Sequence, residues 1–400
     1  MKTELSGDLT GKFTAEFRQR IPALDGIRGL AILMILLYHG FGLEGFYILN
    51  GKLLTALRFG WAGVDLFFVL SGFLIGGTLL DVEGSQNYYS VFYIRRFYRI
   101  LPLYAALCLF SLFVFHLRLG THAWLFDGRV PWYAYLTFGQ NFWMVGLNNI
   151  SPRELASTWS LAIEEQFYLT LPFIVRNVSR KSLPFLLAAG VLLASLIRVA
   201  MWFGLDPSRT EIAAYVLAPC RMDSLFLGVF AAWAVRNSRC WAWLLAHKNA
   251  VGAACGLLGL GVLEMMRLHW DTKSFGIISF GYTWIALFFV SILIVVVTQE
   301  GFVSRLFTLR PLMNLGLIAY GLYLFNYPIL GLIYGLGGKT WPTLTDAYSV
   351  GLTLIAGILV IVLAKLSWTY FEKPLVDQGH RYKYLSRPAK SSATAALERA

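Results

Sequence analysis

Charge is what this sequence has least of. Asp, Glu, Lys and Arg make up 14 % of it, where soluble domains carry about 25 %. With 57 % apolar residues and a mean hydropathy of +0.61, that scarcity excludes an ordinary soluble enzyme and marks an integral membrane protein. Short alternating strands are missing as well. The apolar residues come in runs of roughly twenty, enough to cross about 30 Å of hydrocarbon as helices, so a barrel is set aside. The four cysteines, Cys108, Cys220, Cys240 and Cys255, lack metal-ligand spacing, and two lie inside apolar runs, which points to ordinary packing and to no metal site. Internal repeats and a separate soluble domain are not evident. The formal charge of +12 would suggest nucleic acid in a soluble protein. Here the basic residues sit between apolar runs and read as topology and anionic-lipid contact, with no nucleic-acid partner.

Apolar runs read against charged breaks place helices near 24–47, 60–80, 98–117, 156–175, 183–203, 213–235, 249–268, 276–298, 312–335 and 347–371. The expected fold is all-α and polytopic, with about ten transmembrane helices in the bilayer. Three parts are predicted: a cytoplasmic N-terminal segment over 1–23, a transmembrane domain over 24–375, and a basic, mobile cytoplasmic tail over 376–400. The first apolar run carries Arg28 and His39 and no small-residue cleavage site follows it, which argues against a cleaved signal peptide. With the N-terminus inside, the inner connections collect most of the Lys and Arg, including Arg95, Arg96 and Arg99, and those from Lys365 onward. The positive-inside rule therefore puts both termini in the cytoplasm. One long outer connection, Arg118 to Leu155, is rich in aromatic and polar residues. It suits either an aromatic belt at the headgroups or a lid over a sugar.

Several residues do not belong in apolar helices unless they face a partner or a wet cavity. Arg28 and His39 lie on nearly one face, about 16 Å apart along the first helix, so one can reach a membrane surface while the other lies deep. Asp65, one turn into the second helix, is placed to meet His39; a carboxylate beside an imidazole fixes its tautomer and raises its basicity, as a general base needs. Capping or a backbone bond is the plainer role for Asp65. Arg95, Arg96 and Arg99 open the third helix, where an arginine cluster can chelate phosphate or simply anchor the chain. Glu164 and Glu165 in the fourth helix point about 100° apart, so at least one must face a polar cavity or an ion pair with Arg198 or Arg221. Trp159, Ser160, Gln166 and Tyr168 could serve a hydroxylated ligand. For Arg221 and Asp223 in the sixth helix, mutual pairing and substrate contact both remain open. Asn326 stands before Tyr327-Pro328 in the ninth helix.

Seven segments, LDGIRGLAILMILLYHG, GVDLFFVLSGFLI, YIRRFYRILPLY, STWSLAIEEQFYL, RMDSLFLG, YGLYLFNYPI and YFEKP, stand in the order found in the acyltransferase-3 family of bacterial membrane acyltransferases. The chain resembles that family from about Leu24 to Leu375. The resemblance implies an inner-membrane enzyme that takes an acyl group, acetyl by family frequency, from acyl-CoA on the cytoplasmic side. The acceptor is then a carbohydrate hydroxyl on the outer side. It also implies that Arg28 with His39, and Arg96 with Arg99, match family signatures. Asn326 departs from the family's frequent histidine, which leaves His39 as the sole histidine base.

The expected assignment follows. His39 acts as base, oriented by Asp65 or Glu164, with an acyl-histidine as the lesser variant. Arg28, Arg95, Arg96 and Arg99 serve the acyl-CoA, and Trp159, Ser160, Glu165, Tyr168, Arg221, Asp223 and Asn326 the acceptor; no metal takes part. A small lipophilic glycoside such as a macrolide sugar is an alternative acceptor, and a homo-oligomer stays open. The rival class is a transporter or flippase of a lipid-linked sugar, which would show paired half-molecule repeats with broken helices.

Overall fold

The computed structural model describes residues 21–42, 52–116, 130–150, 153–299, 301–339, 342 and 344–386. Most of the predicted N-terminal segment and the far tail, 387–400, lie outside them. Ten principal helices appear: α1 Pro22–Leu37, α2 Gly63–Val82, α3 Tyr88–His116, α4 Thr158–Asn177, α5 Leu183–Gly204, α6 Ala218–Arg236, α7 Lys248–Arg267, α8 Tyr282–Thr298, α9 Ala319–Leu336 and α10 Ala347–Ser367. Each corresponds to one of the expected runs, and no strand occurs among the described residues. Local chemistry starts them: proline in the first turn of α1, α5 and α6, where its missing N–H is no loss, and a reciprocal Asp346–Ser349 capping box at α10.

Among the described residues, eight segments are long and apolar enough to cross a membrane, and nine if the helix Arg310–Leu317 and α9, bent by 73°, are one broken span. The tenth, α4, has 20 residues but carries Glu164 and Glu165 in its middle and is more polar than the rest. That polarity is the first sign that α4 borders a cavity.

The helix α2 is central. Its apolar stretch is 78 % buried, against 17 % for α7 and 22 % for α5 at the periphery. It is apolar on every side, as an enclosed helix must be. Its closest neighbour is α6, and the contact rests on two glycines. A Cβ on Gly72 would overlap the Leu225 carbonyl, and one on Gly228 would overlap the Val69 carbonyl. Small residues at a crossing allow two backbones to touch, the usual device where no water drives helices together. The same device joins α1 to Arg310–Leu317, where Gly29 and Gly316 face opposing carbonyls.

In the long connection, Trp132–Leu136 and Gln140–Gly146 form short helices. Trp132, Tyr133, Phe142 and Trp143 are exposed while Gln140 and Asn141 are buried. Residues 118–129 and 151–152 lie outside the described part. At the other end of the chain the tail departs from expectation. Lys373–His380 is a helix that packs on α3. Arg95 Nη2 donates to the Tyr382 carbonyl at 2.6 Å, and the Asn87 side chain bonds both Lys383 O and Leu385 N at 2.9 Å. The beginning of the predicted mobile tail is therefore strapped to the start of α3.

Candidate active site

Between α1, α2, α3, α4 and α9 the bundle encloses a cavity of about 590 Å³. One end is lined by Arg28, Arg95, Arg96, Arg99, Lys373 and His380 together with the carboxylates Asp25 and Asp377, which leaves it cationic on balance; Val64, Phe67, Ser160 and Tyr323 line the other. The broken span forms one wall. The 73° bend brings Leu317, Ala319 and Tyr320 to the cavity lining, where irregular backbone is tolerated because it faces a cavity and not lipid.

The arginines differ in what holds them. Arg28 Nη1 donates to Asp25 Oδ1 at 2.8 Å, one turn earlier on α1. Arg96 lies over the Tyr168 ring at 6.0 Å. Arg99 lies over Trp368 at 5.4 Å and Tyr320 at 6.0 Å, both in the cavity wall. Guanidinium planes held by rings keep their N–H groups free to fork onto an anion. Arg95 is committed elsewhere: it binds the Tyr382 carbonyl and stacks over Tyr384 at 4.9 Å. Its assignment to the anion is thus the weakest of the four.

Glu164 lines this cavity, the polar surrounding expected for one of the two adjacent glutamates. Its Oε1 accepts from Ser71 Oγ at 2.6 Å, and Ser71 in turn meets the Tyr168 hydroxyl at 3.2 Å. Ser160 Oγ and the Tyr323 hydroxyl, 2.6 Å apart, close the far end. Glu165 does not line the cavity, and its Oε1 is buried with no hydrogen-bond partner among the described residues. Trp159 is buried between Phe68 and Tyr215, a packing position and not a binding face.

Three further expectations are corrected. Asp65 does not pair with His39: its Oδ1 accepts from Arg221 Nη2 at 2.7 Å and from Ser224 Oγ at 3.0 Å. Arg221 and Asp223 do not pair with each other, because Asp223 takes Arg198 at 2.9 Å. All four ionic side chains have 0 % side-chain exposure, so none is available to a substrate. The physical reason is register. Asp65 in the first turn of α2 faces the closely packed α6, while His39 sits past the end of α1 on the side of α9.

There the helix changes character. Tyr38–Gly42 is a π-turn, a form that recurs at functional sites because the extra residue re-aims its side chains. His39 Nδ1 lies 2.6 Å from Asn326 Nδ2, and its ring packs on Tyr327 with centroids 4.3 Å apart. Asn326 is one turn beyond Tyr323 on α9, about 4.5 Å further along the axis. The imidazole therefore lies just past the closed end of the cavity. The sequence carries a signal for this wall: Tyr320, Tyr323 and Asn326 recur every third residue and form a polar stripe on an apolar helix. Lys373 and His380 carried no such signal.

The chain is a polytopic helical membrane protein with an arginine-lined cavity that ends beside a buried histidine. The acyltransferase-3 family profile, an acyltransferase domain, matches residues 21–366, and the chain belongs to that family. It is similar to the peptidoglycan O-acetyltransferase OatA of Listeria monocytogenes, 27 % identical over 386 residues, covering 90 % of this chain and 57 % of the relative. The O-acetyltransferase OatA of Staphylococcus aureus is 25 % identical over 381 residues, with 90 % and 58 % covered. The chain thus spans under three fifths of the length of these curated relatives. No solved structure matches it.

Proposed function

We propose that the protein is a membrane O-acyltransferase that moves an acetyl group from acetyl-CoA to a hydroxyl of a cell-envelope carbohydrate, with His39 as the base. The observation that carries this reading is the cavity itself, cationic at one end and ending one helical turn from the His39–Asn326 pair. The basic residues at the cationic end support a cytoplasmic orientation for it, where acyl-CoA is found, in a bacterial inner membrane. Arg28, Arg96 and Arg99 hold the phosphates, with Lys373 at the rim. The thioester arm extends past Glu164 and Tyr168 toward Ser160 and Tyr323.

At that end, His39 takes the proton of the acceptor hydroxyl as its oxygen attacks the thioester carbonyl. The carbon–sulfur bond breaks, the ester forms, and the departing thiolate recovers the proton from the imidazole. Ser160 and Tyr323, whose hydroxyls bond each other and the Ser157 carbonyl, bound the place where the carbonyl oxygen gains charge and would have to release a donor to it. The similarity to a peptidoglycan O-acetyltransferase supports a peptidoglycan-type acceptor.

The test follows labelled acetyl from acetyl-CoA in membrane vesicles. Arg96→Ala with Arg99→Ala is expected to raise the KM for acetyl-CoA at least about tenfold, as loss of two charge-assisted contacts demands, and His39→Ala to abolish transfer. Full transfer by a folded His39→Ala protein sinks the assignment of the base, and an unchanged KM in the double arginine variant sinks the phosphate site.

A further inference from the structure

We propose that Asn326 is a positioning residue whose side-chain amide decides which ring nitrogen of His39 carries the proton. This rests on the reading of His39 as the base. It also accounts for the absence of the partner expected at that position, since Asp65 is held by Arg221 and Glu164 lies in the donor cavity.

The geometry leaves little choice. His39 and Asn326 are 9 % and 7 % exposed, and their polar atoms are 2.6 Å apart, a full hydrogen bond. Among the described residues, His39 Nε2 has no hydrogen-bond partner, so Nδ1 is the nitrogen the protein holds and Nε2 the one left for chemistry. Tyr327 and Tyr38 pack against the ring at 4.3 and 5.6 Å and limit its rotation. The titratable groups on the segments packed around this turn are Tyr38 itself, Lys52 and Arg58 in Lys52–Arg58, Tyr320, Tyr323, Tyr327 and Tyr334 on α9, and Asp25 and Arg28 at the far end of α1. Glu211 and Asp271 are the carboxylates whose charges reach the neighbouring Tyr38.

An amide differs from a carboxylate in having both a donor and an acceptor on one rotor. With its oxygen toward Nδ1, the proton sits on Nδ1 and the Nε2 lone pair is free to accept. With its nitrogen toward Nδ1, the proton sits on Nε2, which can then only donate. Amide orientation and tautomer are one linked choice. The structure places the amide nitrogen, Nδ2, toward Nδ1, the arrangement that leaves the proton on Nε2. Proton uptake at Nε2 yields an imidazolium whose Nδ1–H needs the amide oxygen, so His39 becomes a base when the Asn326 amide turns over. After the thiolate has recovered the proton from Nε2, the pair returns to its starting state with no net change. A neutral partner also stabilises the imidazolium less than a carboxylate would, so His39 gives its proton up readily.

The experiment measures acetyl transfer from radiolabelled acetyl-CoA to chitopentaose in membrane vesicles, as a function of pH. Asn326→Leu is expected to lower kcat about 10- to 100-fold, the range for loss of a group orienting a functional histidine, while the KM for acetyl-CoA stays unchanged. Asn326→Asp, nearly isosteric, is expected to retain transfer and to move the acid limb of the kcat profile up by about one pH unit or more, because a fixed carboxylate stabilises the imidazolium. Loss of kcat in Asn326→Leu without any displacement of the limb in Asn326→Asp reduces Asn326 to packing and overturns the proposal, as does wild-type kcat in Asn326→Leu. His39→Ala separates the two levels. If it abolishes transfer while both Asn326 variants behave as wild type, the base stands and the positioning role falls. If it transfers normally, the base itself is wrong.

Discussion

Removing Asp65 should leave an uncompensated cation in the middle of the bundle. Arg221 has 0 % side-chain exposure, and its Nε and Nη1 already lack hydrogen-bond partners among the described residues. The Asp65 contact at 2.7 Å from Nη2 is therefore its principal neutralising interaction. Two unit charges about 4 Å apart attract by about 4 kcal/mol at an effective dielectric of about 20. The Tyr282 ring, 3.9 Å from the guanidinium, is present with or without Asp65 and offsets none of the loss. Asp65→Leu should therefore cost about 3–5 kcal/mol, and Arg221→Met a similar amount by stranding the carboxylate. The double variant replaces both charges with apolar groups and should lose less than either single one. The assay is unfolding in detergent followed by tryptophan fluorescence, run as a double-mutant cycle. Additive losses, or an Asp65→Leu cost below about 1 kcal/mol, refute the pair as the reason for Asp65. The folded double variant should also keep the pH profile of acetyl transfer, since Asp65 does not touch His39. A displaced profile would return Asp65 to the catalytic role that its sequence position suggested.

The other expectations concern packing, pH and the strap. Gly72→Ala and Gly228→Ala should each destabilise by about 1–3 kcal/mol or more, since the added methyl meets a backbone carbonyl that cannot rotate away; wild-type unfolding midpoints would show that the α2–α6 crossing can open. Glu154, which lies before α4 and accepts from Ser111 Oγ, is pushed up to about 7 by burial. A carboxyl raised in the folded state stabilises fully below its ordinary value near 4.5 and loses that contribution as pH rises through 7, by about 3 kcal/mol in all. Wild-type stability should fall between pH 5 and 8.5 while Glu154→Gln stays flat, and parallel profiles for the two would disprove the buried acid. Arg95→Ala should release the Tyr382–Leu385 strap to proteolysis with a smaller effect on acetyl-CoA KM than Arg96→Ala or Arg99→Ala; the reverse ranking would make Arg95 a ligand contact.

How much of this could be read from residues alone depended on whether a residue's neighbour was close in sequence. The helices were legible because hydrocarbon thickness sets a length that each apolar run displays on its own. The cationic end was legible because Arg95, Arg96 and Arg99 share the start of one helix. The broken span was not, since a 73° bend at Ile318 leaves no proline or charge in the sequence to announce it. Pairings between helices were legible least. Asp65 and His39 are both plausible for each other at the level of depth, and only the rotation of α2 toward α6, set by Gly72 and Gly228, decides that Asp65 meets Arg221.

That decision changes the chemistry expected of the histidine. A buried aspartate behind an imidazole makes a strong, permanently oriented base, whereas Asn326 makes a weaker one whose orientation must be chosen. The thiolate leaving group sharpens the point. A coenzyme thiol is much more acidic than a sugar hydroxyl, so the demanding proton transfer is its removal from the sugar, and the base must also release that proton to a thiolate that barely needs it. An imidazole stabilised by a carboxylate would hold the proton past that moment. On the proposed mechanism, a His39 held at Nδ1 by a neutral amide would accept the proton only while the attack is under way and return it as the carbon–sulfur bond breaks. The ion pairs Asp65–Arg221 and Arg198–Asp223 fit the same logic from the other side, since they tie those four charges to one another across α2, α5 and α6 and keep them off the ring.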